Sequence, residues 1–235
     1  MKAAVMFSGG IDSSTIVAML VDRMKKGELE EVHLIAFDDD STNWRTRRSI
    51  AVEHVAQYFS LYDKLHIIRA HNSEEFRFKG TFGLIPGYKM SMQLSCMAVC
   101  QKYGIQQLYM GYCKENDLYP YTFKDEQPEN IQEIAELYNK IYDADIEIHL
   151  PFLHNTKDEI IIEADNLDFP LEKTISCRAT RYGGLLHCGT CLPCKSRING
   201  FIAAGIDDPT DYWNKNGAEE RVVYEHIGTQ INRDK

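Results

Sequence analysis

No stretch of 18 consecutive apolar residues occurs in this chain of 235 residues, which excludes an ordinary membrane-spanning helix. The opening residues, Met1 to Phe7, lack the length and the cleavage pattern of a secretory leader, so a cytoplasmic protein is expected. Positive charge is scarce: 26 Lys and Arg stand against 35 Asp and Glu, a formal charge of −9. A protein that mainly grips a phosphate backbone needs the opposite balance, so nucleic acid is not the expected partner. Internal repeats and low-complexity tracts are also absent. The seven cysteines are an odd number, and four of them cluster late. Without a leader, such a cluster reads as metal binding before disulfides.

What is present is alternation. Short apolar runs at 3–7, 32–37, 64–68, 105–112 and 146–152 predict strands. Helical spacing fills the intervals: Ile16 to Lys26, then 45–59, 89–103, 129–142 and 156–166, with a short helix over 195–204. This order predicts an α/β fold, a Rossmann-like parallel sheet with helices on both faces. A nucleotide-binding domain is expected over 1–167, a cysteine-bearing segment over 168–212 and a tail over 213–235. The stretches 71–88 and 113–127 have no clear period, and loops of that length usually carry function.

The first strand runs into "FSGGIDSS", Phe7 to Ser14, which opens the first helix. Ligands bind a parallel sheet at its carboxyl edge. Glycines let backbone N–H groups approach an anion, and a helix start adds its positive dipole end. Ser8, Ser13 and Ser14 add hydroxyls, so the turn suits phosphate. It is not a Walker loop, because no lysine follows the glycines, and G-x-G-x-x-G is missing too. The plain alternative is a strand-to-helix turn capped by Asp12 or Ser13.

Cys177, Cys188, Cys191 and Cys194 stand as C-x10-C-x2-C-x2-C. Two-residue gaps let neighbouring thiolates face one ion, and Gly183, Gly184 and Gly189 permit the tight turns. Four thiolates suit a closed structural zinc site, with an iron–sulfur cluster as the rival. His187 abuts Cys188 and reads as a neighbour rather than a ligand. Cys96 and Cys100 read as small buried hydrophobes, and Cys113 as a structural residue beside the nucleotide site.

"FSGGIDSS" resembles the pyrophosphate loop (PP-loop) of the ATP pyrophosphatase superfamily, which includes GMP synthetase, NAD synthetase and tRNA thiolation enzymes. Together with "TKDEII" (Thr156 to Ile161), "CGTCLPCKSRINGFIAAGIDDPT" and "AAGIDDPTDY", it resembles the QueC family of 7-cyano-7-deazaguanine synthases over roughly residues 1–212. The resemblance implies an adenine nucleotide alpha hydrolase-like fold and a cytoplasmic ligase of queuosine biosynthesis. ATP and Mg²⁺ would adenylate 7-carboxy-7-deazaguanine, and ammonia would displace AMP. A second adenylation would yield the nitrile, and Zn²⁺ would be structural.

The site residues expected from this are Phe7, Ser8, Gly9, Gly10, Ile11, Asp12, Ser13 and Ser14 in the loop. Phe37, Asp38 and Gly111 join them at neighbouring strand ends, with Asp12 and Lys157 carrying the chemistry. Lys157 at a helix start reads either as a phosphate ligand or as a solvated cation, since the dipole disfavours it there. Arg178 and Arg181 reach a carboxylate or phosphate, or stand solvated, and Asp38-Asp39-Asp40 is a metal site or an acidic loop. Three loops depart from the family pattern: "FDDDSTNW" (Phe37 to Trp44), "PGYK" (Pro86 to Lys89) and "DLYPYTFKDEQPENI" (Asp117 to Ile131). These motivate an alternative in which the product stays an amide, or the acceptor is another amine, including one on a protein. A tRNA sulfur-transfer enzyme and a zinc-bearing binding module are the other classes in competition, and a homodimer stays open.

Overall fold

The computed structural model describes residues 1–39, 44–70, 87–114, 127–177 and 185–213. Five strands, β1 (Lys2–Phe7), β2 (Glu31–Asp39), β3 (Leu65–Ala70), β4 (Gln107–Met110) and β5 (Glu147–His149), form one parallel sheet in the order β3-β2-β1-β4-β5. Among the described residues six α-helices accompany them: α1 (Ile11–Lys25), α2 (Trp44–Tyr58), α3 (Tyr88–Tyr103), α4 (Pro128–Tyr142), α5 (Lys157–Asn166) and α6 (Leu192–Ala204). All five strands and six helices fall where the sequence pattern puts them, with ends shifted by a few residues. β4 and β5 are shorter than their apolar runs, and α6 starts three residues before 195, because Pro193 is accepted in a first helical turn.

The alternation along β1 shows how the layers arise. Ala3, Val5 and Phe7 belong to one core, with Ile16 and Leu20 of α1, Val55 of α2, Ile161 of α5 and Phe201 of α6. Ala4 turns to the opposite core, with Cys96, Met97 and Cys100 of α3 and Ile131, Ala135 and Tyr138 of α4. Cys96 and Cys100 are fully buried apolar residues, as expected. Burial pushes the Cys96 thiol well up and the Cys100 thiol to about 12, so neither is a nucleophile.

The strand order sets the site. From β1 the chain proceeds outward through β2 and β3 with α1 and α2 on one face. It then crosses to β4 and β5 with α3 and α4 on the other. Connections therefore diverge on either side of β1 and β4, opening a crevice at their carboxyl ends. The turn at residues 8–10 and Gly111 lie at that crevice.

Candidate active site and cysteine centre

Gly9 has φ +72°, a left-handed conformation that glycine adopts without a steric penalty. A Cβ there would also stand 3.0 Å from the Ala51 Cβ on α2. Gly10 is the N-cap of α1 and uses no side chain to cap it. Asp12 and Ser13 are thus not caps, which corrects the plain reading of this turn. Ser13 instead bonds back into the loop, with its hydroxyl 3.1 Å from the Ser8 hydroxyl and 3.3 Å from the Ser8 backbone nitrogen. Ser14 is fully buried, and its hydroxyl has no hydrogen-bond partner among the described residues. Gly111 lets β4 close against this loop, because its Cβ would lie 3.1 Å from the Ser13 nitrogen and 3.3 Å from the Asp12 Cβ.

Asp12 points across the crevice. Its Oδ1 accepts a hydrogen bond from Lys157 Nζ at 2.5 Å, and its Oδ2 is 3.9 Å from Cys113 Sγ. Cys113 Sγ is also 3.9 Å from Lys157 Nζ. The Lys157 side chain is only 12% exposed, so it is not a solvated surface lysine. It is also the first residue of α5, whose Thr156–Glu159 capping box satisfies the helix start. The carboxylate of Asp12 supplies the negative partner that the helix dipole alone would withhold. Phe37 lies in β2, and Asp38 pairs with Arg69 through the strand register. The Asp38 and Asp39 side chains, Asp40, Arg178, Arg181, Gly183, Gly184 and most of the two long loops lie outside the described residues.

The four cysteine sulfurs, of Cys177, Cys188, Cys191 and Cys194, all lie within 4.8 Å of one another. Cys188 and Cys194 are 3.9 Å apart, and Cys191 and Cys194 3.4 Å. A tetrahedron with bonds of about 2.3 Å has edges of roughly 3.8 Å, so the donor set fits a thiolate-bound ion such as zinc. Gly189 at φ +75° turns the chain between the first two of the close-spaced cysteines. Backbone N–H groups of Thr190 and Cys191 donate to Cys188 Sγ, and that of Cys188 donates to Cys177 Sγ. Burial raises the Cys188 thiol, but the bonds from Thr190 and Cys191 prevail and lower it. Cys194 is pushed up by its neighbours Cys177 and Cys191, a crowding that a cation relieves. His187 is a neighbour, as read from the sequence: Nε2 accepts from the Ser176 N–H at 3.0 Å, and Nδ1 faces the Leu185 carbonyl at 2.8 Å.

Two positions of weight were not legible from the motifs. Arg197 is buried, and it donates to Thr210 Oγ1, Thr174 Oγ1 and the Leu171 carbonyl at 2.6, 2.7 and 2.8 Å. Asp208 stands 3.9 Å from Arg197 Nε and accepts from the Tyr212 hydroxyl at 2.6 Å, which gives "AAGIDDPTDY" a structural use. Gly200, inside α6, packs directly against Lys157. The available signals were a cation on the buried stripe of α6 and a glycine within a helix. The cysteine segment also reaches the loop itself, since the Ile175 N–H donates to the Gly9 carbonyl at 2.8 Å.

Among the described residues no helix is long and apolar enough to cross a membrane. The chain is 25% identical over 233 residues to the 7-cyano-7-deazaguanine synthase of Methanothermobacter thermautotrophicus, covering 90% of this chain and 99% of that one. It is 32% identical over 123 residues to the synthase of the same name from Methanothrix thermoacetophila, a match spanning 51% of this chain and 52% of the relative. The solved U34-tRNA thiolase NcsA from Methanococcus maripaludis, with its [4Fe-4S] cluster, aligns at 13% identity and a TM-score of 0.42, covering 72% of this chain and 58% of that chain. The family model described as queuosine biosynthesis protein QueC matches residues 49–205, well over half of the chain, and this protein belongs to that family.

Proposed function

We propose that the chain is an ATP-dependent ligase that adenylates 7-carboxy-7-deazaguanine and amidates it with ammonia, yielding 7-cyano-7-deazaguanine. The Asp12–Lys157 pair beside a glycine turn, in a chain of this family, is the observation that carries the reading. A carboxylate resists nucleophiles until one oxygen becomes part of a leaving group. Its oxygen attacks the α-phosphorus of ATP, the α–β bridge breaks, and pyrophosphate leaves. Ammonia then attacks the carbonyl carbon, AMP departs, and a proton is lost, giving the amide. A second adenylation, now on the amide oxygen, lets that oxygen leave with AMP as two N–H protons are lost, giving the nitrile.

Each residue has a part in this reading. The N–H groups of Gly9, Gly10 and Ile11, with the start of α1 and the hydroxyls of Ser8, Ser13 and Ser14, hold the departing pyrophosphate. Lys157 screens its growing charge, and Asp12 would help hold Mg²⁺, which would supply further neutralisation of charge on the departing group. Backbone groups of Phe37 meet adenine, with Asp38 and Gly111 bordering the nucleotide. Cys177, Cys188, Cys191 and Cys194 would hold Zn²⁺, which would hold this segment folded rather than take part in the reaction. The domain organisation follows: a PP-loop domain over 1–167, a zinc segment over 168–212 and a tail over 213–235.

Tyr88, Lys89 and Gln127 stand where the sequence departs from the family pattern, and in this reading they line the acceptor pocket. That departure favours one second reading, in which the reaction ends at an amide or joins the carboxylate to another amine. The test is incubation with ATP, Mg²⁺, 7-carboxy-7-deazaguanine and ammonium. Two AMP per product with a nitrile mass are expected. One AMP with an amide mass establishes the second reading, and no AMP rejects both.

A further inference from the structure

Beside the Ile175–Gly9 bond, one position in α6 couples the cysteine-bearing helix to Lys157. Gly200 is buried in the third turn of α6, the helix whose N-cap is Cys191. A Cβ at Gly200 would lie 2.6 Å from Lys157 Cγ, 3.2 Å from Lys157 Cβ and 2.8 Å from Ile161 Cδ1. Lys157 is therefore laid along the bare backbone of α6, and this course carries its ammonium to Asp12. Glycine within a helix costs about 1 kcal/mol relative to alanine, so its use here calls for a compensating reason. Its φ does not provide one, because Gly200 is not among the glycines with positive φ. The close approach of the Lys157 stem does.

We infer that Gly200 is a positioning residue for the adenylation step, placing the Lys157 ammonium by leaving room for its stem against α6. Through it, the cysteine-anchored helix sets the geometry of the cation at the ATP site. This rests on the functional reading above, in that Lys157 acts on the phosphates of ATP.

The experiment is a double-mutant cycle on the full chain with Gly200→Ala, Lys157→Ala and the double variant. AMP release, metal content, melting temperature and a crystal structure of Gly200→Ala are recorded for it. In the wild-type background Gly200→Ala is expected to lower kcat by roughly one to two orders of magnitude, the scale of an ångström-sized misplacement. Metal content stays unchanged, and the Lys157 ammonium is displaced from Asp12 in the crystal. In the Lys157→Ala background the same substitution changes kcat by less than about twofold, because no stem remains to be displaced. An equal loss in both backgrounds overturns the inference, as does an undisturbed Lys157–Asp12 pair in the crystal. Should Gly200→Ala fail to fold, the triple variant Gly200→Ala, Lys157→Ala, Ile161→Val, which removes both Lys157 Cγ and Ile161 Cδ1, is expected to fold; failure of that variant too overturns it. If the wild-type protein releases no AMP, the functional reading fails, and the crystal structure still decides whether Gly200 places Lys157.

Discussion

At the scale of single residues, Asp12 is the sharpest test. It is partly buried but belongs to neither apolar core, so Asp12→Ala is expected to fold, with some loss of stability from the stranded Lys157, while losing activity by roughly a hundredfold, as for removal of a transition-state charge partner. Full turnover by a folded variant is the contrary result. Gly9 makes the opposite kind of prediction. Alanine at φ +72° is strained, and its Cβ meets Ala51 at 3.0 Å. Gly9→Ala should cost about 1–2 kcal/mol from the left-handed backbone alone, measured by urea unfolding. The two residues are three apart, yet one variant tests the proposed chemistry and the other the geometry of the turn. Both were legible in the sequence, because a glycine turn between a strand and a helix has few other uses. The burial of Lys157 was not: its partner Asp12 is remote in sequence, and only the fold brings the two together.

At the scale of elements, α6 carries the most. Arg197 ties it to the segment 171–174 and to Thr210, so removing the guanidinium strands several buried acceptors at once. Arg197→Leu is expected to destabilise the protein by about 3–5 kcal/mol, read from urea midpoints, the scale of a broken buried ion pair. The cysteine centre makes a second prediction at this scale. Metal analysis should give about one zinc per chain, and chelation should abolish amide protection over 185–204, since thiolates have little other reason to converge. Iron and sulfide with a brown colour would replace zinc by a cluster. The helices and strands themselves were readable from periodicity, as the β1 alternation of Ala3, Ala4 and Val5 shows once its two cores are seen. What periodicity could not convey was which helix lies on which. The contact of α6 with Lys157 of α5 depends on the missing side chain of Gly200, and composition carries no trace of a partner.

At the scale of the whole molecule, the end of the sheet away from the crevice holds a polar network that governs acid stability. His33 Nδ1 lies 3.0 Å from His66 Nε2, and His33 Nε2 lies 3.0 Å from Glu31 Oε2. Lys2 and Lys64 also reach Glu31, and Lys102 and Tyr103 flank the histidines. Burial, then His33, Lys102 and Lys64, lower the His66 pKa, so the unfolded chain takes up that proton first. Stability is full above the ordinary histidine value of about 6.5 and declines as pH falls below it. Bonds from Lys2, Lys64 and His33 hold Glu31 down at about 2, so a second loss follows as pH falls from 4.5 towards that value. The melting temperature should therefore drop in two stages on acidification, and His66→Gln should flatten the first. The bond between Ile175 and Gly9 has a consequence in time rather than space. The glycine turn leaves the ribosome before Lys157, Ile175 and the four clustered cysteines, which follow it in the chain. At about 5–20 residues per second, the nascent turn waits on the order of ten seconds for its far wall. Until translation passes Cys194, a growing chain carries the glycine turn without the residues that close against it in the folded protein.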